Sequence, residues 1–375
     1  MEKTKILYIV SSLHNCGPTN QLLYLLTNLD KRKFDPVILT LNSEKDQTRI
    51  LEFENLGISI HQSQVLSKYH LIKILTNILS HIKKINPDII HTQGTRPDFI
   101  SGLLLNDYIR ISTLRSFPQD DYGKTYNFIA TKILLKLHEI AFSRINAIVG
   151  VSQAVSKNLS TISKLNKIMT IENSYQDLRT KQCELENHEY LMKSLNLQKG
   201  DIIFLTAGGL IARKDPLWLI NFWAKNFSMK SNIKLFILGD GPLFSECKLA
   251  SRNSENIKIL GNVNNIYPFL KLADFFISTS HAEGLPNAVL EALGEGKTCI
   301  LSGIEPHKEI SRKFSEGIIL YELNNEKSLI NVLSRLDPLK ARSRARLVSE
   351  TLTKNYNAKR MALKYEELYL ELTTK

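Results

Sequence analysis

The sequence predicts an α/β protein of two doubly wound domains, and three observations support this fold class. Short apolar runs suited to buried strands alternate from end to end with longer amphipathic runs suited to helices, as in parallel sheets covered on both faces. The alternation stops once, around residues 174–200, where the sequence is polar and has no strand period. A length of 375 residues is enough for two domains with separate cores.

The first predicted domain covers residues 1–173. Its predicted strands are the apolar runs ILYIV, PVILTL, ISIHQ, DIIHTQ, ISTLRS and AIVGVS. The runs NQLLYLLTNL, TRILEFENL, LIKILTNILSHIKKI and YNFIATKILLKLHEIAF lie between these strands and are predicted helices. Strands separated by helices are expected to run parallel, so that their carboxyl ends lie along one edge of the sheet.

The second predicted domain covers residues 201–355 and follows a linker region at 174–200. Its predicted strands are DIIFLTAGG, KLFILGDG, IKILG, DFFISTS, TCILSG and GIILYE, with PLWLINFWAKNF, YPFLKLA and NAVLEAL as helices. The end of the chain reads as one or two amphipathic helices, the last of them at 356–375 and able to cross back to the first domain. The apolar side of this segment is formed by Tyr356, Met361, Tyr365, Leu368 and Tyr369.

Composition predicts a folded cytoplasmic protein. Hydrophobic residues make up 43% of the chain and charged residues 23%, which argues against wholesale disorder. No apolar run reaches the roughly 18–20 residues of a membrane span, and the opening KTKILYIVSSLHNCGP reads as a first strand because no signal-peptide cleavage site follows. The cysteines are too scattered for a disulfide framework or a zinc site; they are Cys16, Cys183, Cys247 and Cys299.

The net charge of +12 predicts a polyanionic partner, which leaves nucleic acid, phosphorylated small molecules and an anionic membrane surface open. Positive charge is concentrated at 61–87 and 122–171. The predicted helices at 69–86 and 124–144 combine Leu and Ile faces with Lys and His, as interfacial helices do. Ordinary packing of an amphipathic helix against the core explains the same pattern equally well.

The richest candidate site follows the strand DFFIST, in the loop that ends at Asn287. Gly284 allows close approach of the backbone to a ligand, and Pro286 suits a helix start. The N–H groups and the dipole at that helix start favour a phosphate or diphosphate. Glu283 precedes the helix and Glu291 lies within it, where it could accept hydrogen bonds from ribose hydroxyls. An ordinary surface acid is the alternative for Glu291.

A second candidate loop follows the strand IIFLTA. Arg213 and Lys214 stand directly before a helix that begins with proline, where they could neutralise a diphosphate leaving group. A basic loop on a surface helix is the alternative. Basic residues are disfavoured near a helix N-terminus, which favours the functional interpretation.

Three weaker candidates lie in the first domain. His91 and Arg115 are predicted to end strands and to point into a cleft, although a lone histidine is as often structural. Gly17 lies in a loop that opens the first helix. Neither that loop nor GDGP at 239–242 completes a G-x-G-x-x-G fingerprint, which argues against a nicotinamide dehydrogenase.

With these pieces in place, the chain resembles glycosyltransferase family 4, the group 1 transferases with the GT-B fold, over nearly its whole length. HAEGLPNAVLEALGEGKTCILSGI is similar to the E-x7-E signature of that family, and GGLIARKDP, GDGPL, GNVNNIYPFLKLADFFIST and IEPHKEI follow the family's order and spacing. The resemblance implies two Rossmann-like domains facing across a cleft. It also implies that Glu283 contacts the donor sugar, Glu291 the ribose and Lys214 the diphosphate. The backbone implied to meet the diphosphate or sugar is that of Gly284, Leu285 and Pro286, next to Asn287.

The same resemblance matches His91 to the family's strand-end histidine and Gly17 to the glycine of its first loop. Family members retain anomeric configuration and need no metal, and the sequence has no DxD motif. Gly209 stands where the family usually has an arginine. We hypothesise that Arg213 replaces this side chain at the diphosphate.

The residues and the resemblance together predict a transferase that moves a sugar from a nucleotide-diphosphate donor to a glycan acceptor, and the resemblance implies that it retains the anomeric configuration. STLRSFPQDDYGKTY is similar to members encoded in surface-polysaccharide gene clusters, which implies a lipid-linked O-antigen or capsule intermediate as acceptor. Two alternatives stay open: a sugar-nucleotide epimerase of the same fold, and a catalytically silent nucleotide-sugar-binding protein. We expect no cofactor and no nucleic-acid partner, and we expect contact with the inner face of the plasma membrane to be peripheral.

Overall fold

The computed structural model of the protein describes residues 2–44, 48–63, 71–162, 167–175 and 186–374. Tertiary contacts divide the chain into two compact units: unit 1 comprises Met1–Ser174 with Tyr356–Lys375, and unit 2 comprises Tyr175–Asn355. Within the predicted linker region, residues 176–185 lie outside the described ranges. The linker's polar sequence nevertheless includes a helix at Glu186–Ser194.

Unit 1 contains a parallel sheet whose described strands are β1 (Thr4–Val10), β2 (Phe34–Thr40), β3 (Ser59–Gln62), β4 (Ile89–Gln93), β5 (Ile109–Leu114), β6 (Ala147–Gly150) and β7 (Ile168–Thr170). Their order across the sheet is β3-β2-β1-β4-β5-β6-β7. Six of the strands coincide with the predicted apolar runs. β7 was not predicted, because three residues are too few to display a strand pattern.

The helices of unit 1 lie between these strands as α1 (Gly17–Asn28), α2 (Ile50–Glu54), α3 (Leu71–Ile85), α4 (Thr95–Leu104), α5 (Pro118–Thr125), α6 (Phe128–Phe142) and α7 (Gln153–Ile162). The run YNFIATKILLKLHEIAF, predicted as one helix, is helical only from Phe128, the first residue of α6, because Tyr126 and Asn127 lie between α5 and α6. The Asn127 side chain accepts a hydrogen bond from the Ala130 N–H and thereby caps the start of α6.

The core of unit 1 lies on both faces of its sheet, as β1 illustrates. Ile6 and Tyr8 pack into the cluster on one face, whereas Leu7 and Ile9 pack into the cluster on the other. Successive side chains of a strand point to opposite faces, so only a strand covered on both sides is a continuous apolar run.

Unit 2 repeats this architecture with the parallel strands β8 (Ile202–Ala207), β9 (Ile233–Leu238), β10 (Ile257–Gly261), β11 (Phe275–Ser278), β12 (Thr298–Ser302) and β13 (Ile318–Tyr321), in the order β10-β9-β8-β11-β12-β13. Its helices are α8 (Glu186–Ser194), α9 (Pro216–Phe227), α10 (Phe244–Ser251), α11 (Tyr267–Leu272), α12 (Asn287–Gly294), α13 (Glu305–Lys313), α14 (Glu326–Leu333) and α15 (Pro338–Asn355). The strand order reverses between β8 and β11, which is where ligands bind in doubly wound sheets.

The last helix, α16 (Ala358–Thr373), belongs to unit 1, as the sequence predicted. It packs against α1, and Tyr365 and Tyr369 enter the core cluster beside β1. The Tyr369 hydroxyl lies 2.9 Å from the Tyr8 hydroxyl, so the helix is also held by a buried hydrogen bond.

The two basic helices of unit 1 bury their apolar faces to different extents. In α3, Ile78, Ile82 and Ile85 lie in the core, so its amphipathic pattern reflects ordinary packing. The interfacial role predicted for 69–86 is therefore wrong for the described part of that helix, and residues 69 and 70 lie outside the described ranges. In α6, large apolar side chains are exposed by between 37% and 72% and form what we call the α6 face: Phe128, Ile129, Ile133, Leu137 and Ile140.

Candidate active site

The predicted E-x7-E segment forms the loop between β11 and α12. Glu283, Gly284, Leu285 and Pro286 are buried in this loop, with Glu283 only 6% exposed. The N-cap residue of α12, Pro286, makes no side-chain cap hydrogen bond, and the positive end of the helix dipole lies at this loop. Burying a carboxylate this deeply is costly unless charges or donors compensate, and the neighbouring loop supplies them.

Glu283 is held by two cations and a hydroxyl. Arg213 donates from Nη1 to Glu283 Oε2 at 2.9 Å, and Lys214 Nζ lies 3.2 Å from Oε1. Ser280 Oγ donates to Oε1 at 2.8 Å. Burial by itself would raise the pKa of Glu283, but the charges of Lys214 and Arg213 outweigh burial and hold that pKa at about 2. The carboxylate is therefore ionised at neutral pH and can accept hydrogen bonds from a ligand's hydroxyl groups.

Backbone and side-chain contacts fix the loop before α9 against the loop before α12. Asp215 caps α9 by accepting from the Trp218 N–H, while its other oxygen bonds His281 Nε2 at 2.9 Å. The His281 N–H donates to the Arg213 carbonyl at 2.7 Å, and Thr279 Oγ1 donates to the Lys214 carbonyl at 2.9 Å. These bonds place Arg213 and Lys214 beside Glu283.

Asp215, His281 and Ser280 were not among the predicted site residues. An Asp directly before a Pro-initiated helix is a recognisable cap signal, and it could have drawn attention to Asp215. The pairing with His281 has no comparable signal, because the two residues are distant in the sequence.

The glycines near Lys214 serve close packing. Gly208 has φ of +137°, and a Cβ there would lie 2.5 Å from Lys214 Nζ. Gly239, in the GDGP segment, has φ of +132°, and a Cβ there would lie 1.9 Å from the Gly208 carbonyl oxygen. Side chains at either position would displace the lysine or its loop. The G-x-G of GDGP is thus explained by packing between loops.

Gly209 differs from its neighbour Gly208. A Cβ at Gly209 would meet nothing closer than the Asp240 carbonyl oxygen at 3.8 Å, an ordinary van der Waals distance. The position where the family usually has an arginine therefore has room for a side chain. Arg213 donates to the Ala282 carbonyl as well as to Glu283, so its guanidinium stands between the two loops.

Glu291 lies in α12 and is partly exposed. Burial raises the pKa of its carboxyl to about 7, and the charge of Lys214 only partly opposes this. Lys214 thus acts electrostatically on both acids of the segment, stabilising the charged form of each.

His307, at the start of α13, is a buried neighbour of Glu283 that the predicted site omitted. Its Nδ1 lies 2.8 Å from the Ser302 carbonyl and must carry the proton to donate to it, whereas Nε2 has no partner among the described residues. Burial lowers the pKa of His307 to about 4, although Glu283 opposes the effect. The ring is neutral at pH 7, and Nε2 is a hydrogen-bond acceptor.

His91 lies where the sequence did not place it. Instead of ending β4 and pointing outward, it sits in the middle of that strand and is fully buried. Nδ1 lies 2.8 Å from the Tyr369 hydroxyl and Nε2 lies 2.8 Å from Thr113 Oγ1. Burial, with a smaller effect from Arg115, lowers the pKa of His91 to about 3. A neutral histidine with both ring nitrogens bonded stabilises the core beneath α16, so the predicted outward position is wrong.

Arg115 and Gly17 lie at the carboxyl edge of the unit 1 sheet. Arg115 follows β5 and lines a cavity of about 330 Å³. Gly17 is the first residue of α1, and its neighbours Cys16 and Pro18 line the same cavity. Unit 1 therefore carries polar side chains of its own at the carboxyl edge of its sheet.

Two family profiles match the chain and together cover most of it. Residues 16–175 match "Glycosyltransferase Family 4", and residues 201–336 match "Glycosyl transferases group 1". The chain belongs to the group 1 glycosyltransferases.

Three curated relatives align with this group 1 glycosyltransferase over 64%, 87% and 80% of their own lengths. An uncharacterized glycosyltransferase of Methanocaldococcus jannaschii is 27% identical over 68% of this chain and 64% of its own length. The capsular polysaccharide biosynthesis glycosyltransferase CapH of Staphylococcus aureus is 26% identical over 85% of this chain and 87% of its own. The UDP-Gal:alpha-D-GlcNAc-diphosphoundecaprenol alpha-1,3-galactosyltransferase of Escherichia coli is 25% identical over 80% of both chains.

Among solved structures, HepE from Anabaena in complex with UDP and glucose has a TM-score of 0.82 to this chain at 14% identity, covering 98% of this chain and 100% of that one. This similarity confirms the predicted fold class, the GT-B fold with two parallel α/β units.

Among the described residues, no group of three or more His, Cys, Asp or Glu side chains is arranged to hold a metal ion. Within the same ranges, no helix combines the length and apolar character that crossing a membrane requires. The described cysteines Cys16, Cys247 and Cys299 are unpaired, and Cys183 lies outside the described ranges.

Proposed function

We propose that this protein transfers a sugar from a nucleotide-diphosphate sugar to a lipid-linked glycan acceptor, an O-antigen or capsule intermediate, with retention of anomeric configuration and without a metal or other cofactor. The observation that carries the proposal is the ionised Glu283 carboxylate held between Arg213 and Lys214 beside the uncapped start of α12. One loop edge thus offers both an acceptor for sugar hydroxyls and donors for a diphosphate.

The leaving group is stabilised by Lys214, Arg213 and the backbone at the start of α12. As the glycosidic bond to the diphosphate breaks, negative charge accumulates on the phosphate oxygens. Donors already fixed at that position stabilise the charge without reorganising, which is the largest single contribution in many transfer reactions. The backbone from Gly284 to Asn287 adds N–H groups and the positive end of the helix dipole.

The two acids hold different parts of the donor in this proposal. Glu283 is ionised at neutral pH and orients the transferred sugar through its hydroxyl groups. Glu291 lies within α12 and binds the ribose hydroxyls. The UDP bound by HepE supports a nucleotide donor, and the diphosphoundecaprenol named in the Escherichia coli relative supports a lipid-linked acceptor.

A lipid-linked acceptor requires the protein to reach a membrane surface, and we assign this contact to the α6 face. Ile129, Ile133 and Leu137 recur every four residues and so lie on one side of α6. Lys132 and Lys136 are exposed beside them, which suits a surface that carries anionic lipid. The proposed location is therefore peripheral, on the inner face of the plasma membrane.

Incubation of the purified protein with a panel of nucleotide sugars and a lipid-linked acceptor tests the proposal. Transfer with release of nucleoside diphosphate is the expected result, and the anomeric configuration of the product tests retention. An epimerised donor would identify the protein as an epimerase, and binding without turnover would identify a silent sugar-nucleotide-binding protein. Activity unchanged by EDTA is expected of a metal-independent enzyme.

A further inference from the structure

The cavity in unit 1 lies at the point where the order of its strands reverses. β1 and β4 are neighbours in the sheet, with β2 on the far side of β1 and β5 on the far side of β4. Residues at the carboxyl ends of β1, β4 and β5 line the cavity. Such a reversal separates the loops that follow the strands and opens a crevice for a ligand. Its volume of about 330 Å³ is within the range of small-molecule sites.

Arg115 brings a positive charge to this cavity without a carboxylate beside it. Its Nη1 donates to Asn173 Oδ1 at 2.7 Å, and its Nε and Nη2 donate to Gln93 Oε1 at 3.3 and 3.0 Å. Both partners are neutral amides, and no described carboxylate lies within ion-pair distance of the guanidinium. Each terminal nitrogen carries a second N–H, so a forked pair of donors remains for an anion.

Gln93 carries a second, independent indication of a ligand. Because its Oε1 accepts from Arg115, its amide nitrogen must face the other way. That Nε2 is buried without a hydrogen-bond partner among the described residues, on a side chain that is 7% exposed and lines the cavity. An unsatisfied buried donor is costly, and a ligand oxygen would satisfy it.

The backbone of the cavity wall favours the same kind of ligand. α1 and α4 both begin there, at Gly17 and Thr95, and neither has a side-chain cap. Their first N–H groups and positive dipole ends favour an oxyanion. One carboxylate, Asp98, also lines the cavity. It is 2% exposed, its Oδ1 accepts hydrogen bonds from Thr92 Oγ1 at 2.5 Å and Ser112 Oγ at 2.7 Å, and its Oδ2 lies 3.8 Å from His138 Nε2.

We propose that this cavity binds a phosphate group of the acceptor substrate, with the Arg115 guanidinium and the Gln93 amide as its donors. The inference rests on the proposed function, since only a transferase has an acceptor. It assigns to unit 1 the recognition of the phosphate that links the glycan to its lipid. Gln93 presents its N–H groups to the phosphate while its oxygen keeps the guanidinium oriented.

Two acceptors that differ only in the linkage test the proposal: one sugar joined to an alkyl chain through a diphosphate, and the same sugar joined through a simple glycosidic bond. The wild type should use the diphosphate acceptor better. Arg115→Gln should lower kcat/KM for that acceptor by about 10- to 100-fold, the range of one charge-assisted hydrogen bond. The phosphate-free acceptor should be affected by less than about 3-fold. Equal losses with both acceptors, or a wild type without preference, would overturn the assignment.

Gln93→Glu separates binding from stability. The new carboxylate would pair with Arg115 and remove the unsatisfied N–H groups, so Tm should stay the same or rise. The same charge would repel a phosphate, so use of the diphosphate acceptor should fall. Arg110→Gln is the matched control, because Arg110 is a buried arginine of β5 that does not line the cavity. It should leave the preference between acceptors unchanged, and a Gln93→Glu enzyme that keeps the preference would overturn the proposal.

A direct binding measurement keeps this inference distinct from the proposed function. In a Lys214→Ala background, which weakens phosphate binding in unit 2, titration with inorganic pyrophosphate should show binding that Arg115→Gln abolishes. This result would support the anion site even if no donor sugar were transferred. Binding that survives Arg115→Gln would refute it. A third outcome is that pyrophosphate binding depends on Arg115 but the enzyme shows no preference for the diphosphate acceptor. The cavity would then bind free phosphate, and the assignment to the acceptor would be wrong.

Discussion

Arg213 is predicted to replace the arginine that the family usually has at position 209. Arg213→Ala removes the guanidinium that stands between Glu283 and the Ala282 carbonyl. Glu283 keeps Lys214 at 3.2 Å and Ser280 at 2.8 Å, so its position and ionisation should largely survive. The main loss should therefore fall on the diphosphate leaving group, whose developing charge then faces Lys214 and the start of α12 alone.

The expected cost is that of one charge-assisted contact in the transition state, about 2–4 kcal/mol, which corresponds to roughly 30- to 1000-fold in kcat/KM. Lys214→Ala should cost at least as much, because Lys214 acts on both acids as well as on the diphosphate. Initial rates of nucleoside diphosphate release at saturating acceptor give kcat and the donor KM for each variant.

Rescue is the sharper assay. Gly209→Arg in the Arg213→Ala background should recover much of the lost kcat, because position 209 has room for a side chain and no unusual backbone angle. Gly209→Leu in the same background adds volume without charge and should recover nothing. Gly208→Arg, one residue away, should reduce activity further, because a side chain there would displace Lys214. If Arg213→Ala leaves kcat/KM unchanged, Arg213 does not replace the missing arginine.

Further predictions concern the two acids and the membrane. Glu291→Ala should mainly raise the donor KM, because the proposed contact with ribose is the same in the ground and transition states. Glu283→Ala should mainly lower kcat, because Glu283 is proposed to orient the reacting sugar. Small, equal effects of the two variants would contradict this division. Because the pKa of Glu291 is about 7, the donor KM should fall as pH rises through 7, since the ionised carboxylate is the better acceptor for ribose hydroxyls. Glu291→Gln should remove this pH dependence. The same raised pKa makes the contribution of Glu291 to folding stability largest below its ordinary pKa, and this contribution is lost as pH rises through about 7. The protein should co-sediment with anionic but not with neutral vesicles, and the binding should weaken as the salt concentration rises. Ile133→Glu should weaken the binding, whereas Met229→Glu, at an exposed apolar residue of unit 2, should leave it unchanged. Binding that does not depend on lipid charge would contradict the role of the α6 face.

The candidate site around Glu283 was predictable from sequence because its elements are local. The loop before α12 contains Glu283, a glycine–leucine–proline turn and a helix start within a few residues, and each has a recognisable residue type. The partners that hold Glu283 were only half predictable. Arg213 and Lys214 were predicted to neutralise a diphosphate, but their ion pairs with Glu283 join residues about 70 positions apart, which no local pattern reveals.

His91 shows how a small error in position changes a predicted role. The sequence shows a histidine near the end of a strand, and a shift of two residues separates a rim position from a core position. His91 occupies the core position, where its imidazole is hydrogen-bonded to Tyr369 of α16. Nothing in the run DIIHTQG indicates that a C-terminal helix covers that part of the sheet.

The sequence by itself determined the α/β class, nearly all the strands and the segment that carries Glu283 and Glu291. These follow from residue spacing, which the backbone periods of strands and helices convert directly into structure. Only the tertiary structure decided which amphipathic helix is covered. α3 and α6 are both rich in Leu and Ile and both carry lysines, yet Ile82 is buried and Ile133 is 56% exposed. Periodicity places apolar side chains on one face of a helix, but whether that face meets the core or the solvent depends on elements packed from elsewhere in the chain.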